Sequence, residues 1–139
     1  DDILEFQMNE NIKQIENQID DRIAALAKEK LYENIVIDSR LAWHFIPKSF
    51  KVFIDVNWKT AGERLLKAER ETEKAENLDH AIKILKKRWK TENERYLSLY
   101  NINNLDRSQY DLVIKSDNKT IEEISHKIFL SYKKFMQKA

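Results

Sequence analysis

The sequence contains almost none of the residues that interrupt helices, with one glycine, Gly62, and one proline, Pro47, among 139 residues. A glycine inside a helix costs stability, so this scarcity is typical of a helix-rich protein. It also excludes a glycine-rich phosphate loop within these residues, because the backbone of such a loop must approach phosphate with no side chain in the way. Cysteine is absent, which excludes disulfides and thiolate metal sites and indicates a reducing, cytoplasmic location.

Neither sign of charge dominates the chain. Twenty-five Lys and Arg residues nearly balance 24 Asp and Glu residues, so the net charge is +1 and a nucleic-acid partner is not expected. No apolar run approaches membrane-spanning length, so a membrane partner is not expected either. The three histidines, His44, His80 and His126, lack metal-ligand spacing, and no metal site is predicted. The length suits one domain over residues 1–139.

Periodicity of apolar residues predicts both helices and strands. Helical spacing covers roughly residues 9–31, 58–70, 78–100 and the stretch from 121 onward, with a short helix at 41–45. Apolar runs rich in β-branched or aromatic residues predict three buried strands at 35–37, 51–56 and 110–114. Asn57 is a predicted N-cap, and Thr120 with Glu123 matches a capping box.

Alternation of strands and helices predicts an α/β fold with a parallel sheet and flanking helices. Ligands of such sheets bind beyond the carboxyl ends of the strands, where Asp38 and Arg40 follow the first predicted strand. On these residues alone, a solvated pair is the simpler interpretation. The same holds for Asp20 and Arg22, which fit an ordinary polar helix face. Three strands are few for so much helix, so we expect a further segment on the amino-terminal side.

A set of arginines lies on the helices around a charged stretch near residues 69–76. Its members are Arg64, Arg70, Arg88 and Arg95. Interspersed glutamates favour intrahelical ion pairs, each contributing a few tenths of a kcal/mol, so a solvated face is the default interpretation. Arginines on a helical hairpin above a sheet edge are also what a lid that closes on phosphate requires.

Several segments, in order along the chain, resemble cytidylate kinases of the archaeal-type and related bacterial branch. The segment IVIDSRLAW at 35–43 resembles the family's strand-turn element. The other similar segments are 19–22, 51–56, 61–65, 70–71, 88–96, 100–102 and 105–114. The resemblance covers nearly the whole chain. It departs at Ser39, where relatives often have glycine, and in the absence of a Gly-Lys-Ser or Gly-Lys-Thr loop.

The resemblance implies a P-loop kinase-like fold that lacks its N-terminal strand, loop and helix. Residues 9–31 would form the monophosphate-binding helix and residues 69–95 the lid. The complete enzyme would transfer the γ-phosphoryl group of ATP to CMP or dCMP with Mg²⁺, while this chain would be inactive alone. Substrate-binding residues would be Asp20, Arg22, Asp38 and Arg40. The catalytic lid arginines would be Arg70, Arg88 and Arg95.

Two other hypotheses stay open from the sequence. A protein that truly lacks the loop would be a pseudo-kinase that binds nucleotide or a protein partner without catalysis. A helical interaction module with accidental similarity is the third hypothesis. The sequence decides neither the preferred base nor the oligomeric state.

Overall fold

The computed structural model describes residues 2–29, 34–68 and 74–138. The elements in chain order are α1 (Asp2–Glu29), α2 (Ala42–Phe45), β1 (Val52–Asp55), α3 (Trp58–Lys67), α4 (Leu78–Tyr100), β2 (Leu112–Lys115) and α5 (Ile121–Lys138). In those ranges no helix is both long and apolar enough to cross a bilayer. The chain divides into two compact units, residues 1–49 and 50–139.

The first unit contains α1 and α2, which contact each other. Among its residues with described burial, the buried apolar side chains are Ile23 on α1, 7% exposed, and Leu41 at the N-cap of α2, 2% exposed. The long first helix is therefore confirmed, although it begins before the predicted residue 9. Its predicted end at residue 31 lies outside the described residues.

The second unit contains a parallel pair of strands, as the sequence predicts for residues 51–56 and 110–114. The register places Ile54 opposite Ile114, and Ile114 is almost completely buried. The pairing continues before the strands, where the backbone N–H groups of Asp111 and Leu112 both donate to the carbonyl of Lys51. Within the described residues, β1 and β2 pair only with each other.

Helices α3 and α4 pack against each other, and asparagines cap three of their four ends. The Asn57 side chain accepts a hydrogen bond from the Thr60 N–H, which confirms the predicted cap of α3. Asn77 caps α4 in the same way. Asn101 ends α4 in the left-handed conformation with φ 54°, a role that glycine usually fills. Gly62 lies buried where α3 meets α4.

Helix α5 begins at the predicted capping box. The Thr120 hydroxyl accepts from the Glu123 N–H at 3.1 Å, and the Glu123 carboxylate accepts from the Thr120 N–H at 2.8 Å. Farther along, the rings of Tyr132 and Phe135 pack on Phe50 with centroids 5.8 and 5.2 Å away. The apolar face expected for this helix therefore contacts the residues that lead into β1.

The predicted strand at 35–37 is wrong. The described chain from Asn34 to Ser39 has no regular secondary structure, Ile35 is 51% exposed and Val36 is 98% exposed. The β-branched run has the composition of a buried strand, but a strand also needs a neighbour to form its hydrogen-bond ladder. No described segment pairs with residues 35–37. Within the ranges that the structure describes, the sheet therefore has two strands instead of the three predicted.

Candidate functional site

The carboxyl edge of the sheet is where β1 ends at Asp55 and β2 ends at Lys115. Ser116 follows β2 directly and is 1% exposed. Its N–H and its hydroxyl both donate to the carbonyl of Asp55, at 2.8 and 3.0 Å. These two bonds join the ends of both strands. Because open parallel sheets bind ligands at this edge, it is the candidate site of the second unit.

Arg64 approaches this edge from α3. Its guanidinium donates to the Ser116 hydroxyl from Nη1 and to the Ser116 carbonyl from Nη2, each at 3.0 Å. The interaction uses the planar fork that distinguishes arginine from lysine. The turn after β2 is therefore attached to α3 as well as to β1.

Asp117 makes the next connection in the same turn. Its carboxylate accepts a hydrogen bond from the Asn57 N–H at 2.9 Å, just before α3 begins. That hydrogen bond is the main cause of a lowered pKa for Asp117, with smaller contributions from the Thr60 side chain and the charge of Arg64. Asp117 is therefore held in its ionised form beside the positive end of the α3 dipole.

An arginine also stacks on the sheet near its other end. The Arg107 guanidinium lies 3.6 Å from the centroid of the Phe53 ring, and its Nη1 donates to the Asn104 carbonyl at 2.7 Å. Tyr110 packs its ring edge against Phe53, and burial raises the Tyr110 pKa above its usual value of 10. This cluster packs the connection between α4 and β2 against β1.

Two of the predicted lid arginines, Arg88 and Arg95, lie on α4 seven residues apart. This spacing is about two helical turns, so both are on the same side of the helix. Each is half-buried and already engaged with other groups of the protein. Glu92 lies between them on that side and is buried. The third predicted lid arginine, Arg70, lies outside the described residues.

The four predicted substrate-binding residues all belong to the first unit. Asp20 is half-buried and Arg22 exposed on α1, two residues apart and so on different sides of the helix. Asp38 and Arg40 are exposed in the irregular segment before α2. Between them, the Ser39 hydroxyl accepts a hydrogen bond from the Leu41 N–H at 3.3 Å. This local turn forms with serine at the position where the resemblance expects glycine.

No metal ligands cluster in the described ranges. Among residues 2–29, 34–68 and 74–138, no group of three or more His, Asp or Glu side chains could hold a metal ion. Proteins commonly hold Mg²⁺ through one or two carboxylates together with substrate phosphates, so we assign no described residue to the metal.

Sequence patterns did not predict the hydrogen bonds that Arg64, Ser116 and Asp117 make at this edge of the sheet. The partners of these residues lie 52 to 61 positions away along the chain. Local spacing carries no information on such contacts. The available signal was the register of the two strands, because parallel pairing brings Asp55 and Ser116 to the same edge.

Comparison with protein families gives one match that covers most of the chain. The profile described as the Cytidylate kinase-like family matches residues 2–118. No solved structure matches the chain with statistical significance.

Named relatives include archaeal enzymes and one longer bacterial protein. Cytidylate kinase of Methanobrevibacter smithii is 30% identical over 94% of this chain and 73% of its own length. Cytidylate kinase of Methanocaldococcus jannaschii is 35% identical over 88% of this chain and 68% of its own length. S-adenosylmethionine-dependent nucleotide dehydratase of Lacinutrix mariniflava is 31% identical over 87% of this chain. The chain spans only about a quarter (24%) of that last protein.

Proposed function

Because this chain belongs to the cytidylate kinase-like family, we propose that the protein carrying it transfers the γ-phosphoryl group of ATP to CMP or dCMP. The family match over residues 2–118 is the observation that carries the proposal. In the reaction, a phosphate oxygen of the monophosphate attacks the γ-phosphorus in line. The bond to the β,γ-bridging oxygen breaks, and ADP leaves with the electron pair.

We propose that the acceptor nucleotide binds to residues of the first unit. We propose that Arg40 binds the monophosphate or the cytosine, that Asp38 orients Arg40, and that Asp20 and Arg22 complete the pocket. The exposed positions of Asp38 and Arg40 leave both accessible to a ligand. A guanidinium can bind phosphate through two parallel hydrogen bonds, which makes Arg40 the residue to test first.

The lid arginines Arg70, Arg88 and Arg95 are proposed to neutralise charge on the transferring phosphoryl group. In phosphoryl transfer, protein groups act mainly by positioning and by stabilising charge. Arg88 and Arg95 share one side of α4, which suits two contacts to the same polyanion. Mg²⁺ would enter with ATP and screen its phosphates, and no step is assigned to a metal ligand of this chain.

The 139 residues alone are proposed to be inactive. The single glycine, Gly62, is buried between α3 and α4, so it cannot form a phosphate-binding loop. Without such a loop and its lysine, most of the stabilisation of the γ-phosphate would be missing.

The test compares the full-length protein with this chain and with two variants. We expect full-length protein to convert CMP to CDP with ATP, and this chain to show no transfer above background. Arg40→Ala should raise the Kd for CMP by roughly tenfold or more, because a hydrogen bond to a charged group contributes about 1.5–3 kcal/mol. Lys48→Ala, which removes an exposed cation of the same unit, is the matched control and should leave the Kd unchanged.

Isothermal titration with CMP, dCMP, UMP and AMP supplies the binding constants and the base preference. Equal Kd values for Arg40→Ala and Lys48→Ala would contradict the assignment of Arg40. Tight CMP binding by full-length protein without any transfer would instead identify a non-catalytic nucleotide-binding pseudo-kinase. A helical interaction module is disfavoured by the family match and by the parallel strands β1 and β2.

A second candidate function comes from the bacterial relative. Because that protein is named a nucleotide dehydratase and is about four times longer than the matched segment, we propose as the alternative that this chain serves a larger nucleotide-modifying protein. The kinase-like part would then prepare or bind the nucleotide that the other part dehydrates. Mass spectrometry of nucleotides incubated with full-length protein and S-adenosylmethionine tests this. Loss of one water from the nucleotide supports it, and unchanged nucleotide contradicts it.

A further inference from the structure

Two hydrogen bonds at the start of α4 involve the same residue, His80. The His80 N–H donates to the Asn77 side chain at 2.9 Å, which is the helix cap described above. In the opposite direction, the Glu76 N–H donates to Nδ1 of the His80 ring at 3.1 Å. Together the two bonds attach the residues before the helix to its first turn.

This arrangement resembles a capping box in which histidine takes the place of glutamate. In the box at α5 the Thr120 hydroxyl accepts from the Glu123 N–H, and the Glu123 carboxylate accepts in return from the Thr120 N–H at 2.8 Å. At α4 the third helical residue is His80, and its ring accepts from the residue just before the cap. The chain therefore has one helix start closed by a carboxylate and one closed by an imidazole.

An imidazole nitrogen accepts a hydrogen bond only while it carries no proton. Because Nδ1 of His80 accepts from Glu76, the ring is neutral in this arrangement and has its proton on Nε2. Protonation would place an N–H on both ring nitrogens, so Nδ1 and the Glu76 N–H would be two donors facing each other. Imidazole ordinarily takes up a proton at about pH 6.5, whereas a carboxylate remains an acceptor down to about pH 4.

The charges around His80 keep their sign while the ring titrates. The charged residues described at this helix end and on α3, which packs against α4, are all exposed: Lys59, Glu63, Arg64, Lys67, Lys74, Glu76, Asp79 and Lys83. Carboxyl, ammonium and guanidinium groups ordinarily do not titrate between about pH 5.5 and 7.5. Glu76 and Asp79 favour a charged ring, while the positive end of the α4 dipole opposes it. Salt screens these exposed charges, so the bond from Glu76 is the main interaction that depends on the ring proton.

We propose that His80 is a pH-sensitive switch in the connection between α3 and α4. With a neutral ring, the Glu76 N–H is bonded and the residues leading into α4 are held. With a protonated ring that bond is released, while the Asn77 cap, which involves no titrating group, stays in place. The connection therefore loosens as the pH falls through the range in which imidazole titrates. This inference does not depend on the proposed function.

Amide exchange of the chain, followed by NMR, tests the switch. The protection of the Glu76 N–H is corrected for the pH dependence of intrinsic exchange. It should fall about fivefold between about pH 7.5 and 5.5, the size expected for loss of one neutral hydrogen bond. The His80 N–H, bonded to Asn77, should keep its protection and serves as the internal reference.

Three variants assign the effect to the ring. His80→Glu restores the usual capping box and should protect the Glu76 N–H equally at both pH values. His80→Ala has no acceptor and should leave that N–H unprotected at both. His126→Gln removes an exposed histidine from α5 and is the matched control, with the pH dependence of the wild type. Circular dichroism of each variant establishes that it is folded.

Three results would overturn the proposal. Equal protection of the Glu76 N–H at both pH values in the wild type would show that the ring proton does not control this bond. A pH dependence that survives in His80→Glu would assign the change to another group. Equal losses of protection at Glu76 and His80 would show that the whole helix end frays, without selective release of one bond.

Discussion

Asp117 illustrates how one carboxylate joins two parts of the second unit. It follows β2, yet it accepts a hydrogen bond from the backbone N–H of Asn57, at the start of α3. Asn57 in turn caps the helix through Thr60. The pKa of Asp117 is lowered mainly by the hydrogen bond from the Asn57 N–H, so the ionised form of Asp117 is favoured in the folded protein. A carboxyl group whose pKa is lower in the folded than in the unfolded protein stabilises the fold at pH values above its unfolded pKa. This stabilisation is lost as the pH falls through the folded pKa.

Asp117→Asn should therefore lower the melting temperature at neutral pH. The difference from wild type should shrink as the pH falls below about 3.8, the ordinary value for Asp, and through the lower pKa of folded Asp117. Thermal unfolding followed by circular dichroism between neutral pH and pH 3 measures this. Asp21→Asn, an exposed change on α1, is the control. A melting-temperature difference that is constant with pH would contradict the role of the Asp117 charge.

For single residues, the sequence was sufficient to predict the local helix caps. It was not sufficient to predict contacts between residues that lie far apart along the chain. The capping box of Thr120 and Glu123 spans three residues, so its spacing was sufficient. The Asn57 cap is equally local. Arg64 and Asp117 find their partners across more than 50 residues, which requires the register of β1 and β2 before either contact can be expected.

Among the elements, the contact of α3 with α4 depends on the small size of Gly62. A Cβ atom at this position would lie 2.9 Å from Ile82 Cγ1 and 2.9 Å from Leu78 Cδ1. Both distances are shorter than ordinary carbon contacts, so two side chains of α4 would have to move. Gly62 is therefore kept for close packing of the two helices, not for a left-handed backbone.

Gly62→Ala tests this packing against helix propensity. Alanine favours a helix by about 1 kcal/mol over glycine, whereas overpacking costs about 1–3 kcal/mol. We expect a net loss of about 1 kcal/mol in the free energy of unfolding, measured by urea denaturation. Glu63→Ala, at an exposed neighbouring position, should change it by less than about 0.5 kcal/mol. Higher stability in Gly62→Ala would contradict this expectation and show that the Leu78 and Ile82 side chains can move aside at little energetic cost.

Helices were more predictable than strands for a physical reason. Helical hydrogen bonds are local, so apolar periodicity was enough to place α3 and α4 close to their observed limits. A strand depends on a partner elsewhere in the chain. The runs that became β1 and β2 have each other, while residues 35–37 have no described partner and stay irregular.

At the scale of the whole molecule, the main feature is the division of the chain into two compact units. The second unit, residues 50–139, contains the strand pair, the contact of α3 with α4, and the packing of α5 on Phe50. Each of these interactions is internal to the unit. The predicted acceptor residues belong to the other unit, where the sequence placed Asp20 and Arg22 on a helix correctly but put Asp38 and Arg40 after a strand that does not form.

We therefore expect residues 50–139 to fold when expressed alone. The fragment should unfold cooperatively on heating, and amide exchange should show protection in β1, β2 and α4. The fragment with Ile114→Asp, which places a charge at a buried strand position, is the control and should lose the cooperative transition. Loss of cooperativity in the unaltered fragment would show that the second unit needs the first.

The two-stranded sheet has a further consequence for how the protein behaves in concentrated solution. In the part of the chain that the structure describes, each strand has one edge without a ladder partner, and Ile54 and Val113 are 51% and 43% exposed. Unpaired edges with apolar side chains are templates on which other polypeptides can add strands and aggregate. Precipitation, rather than unfolding, would then limit the working concentration of these 139 residues. A lysine at Ile54 would be the natural solubilising change.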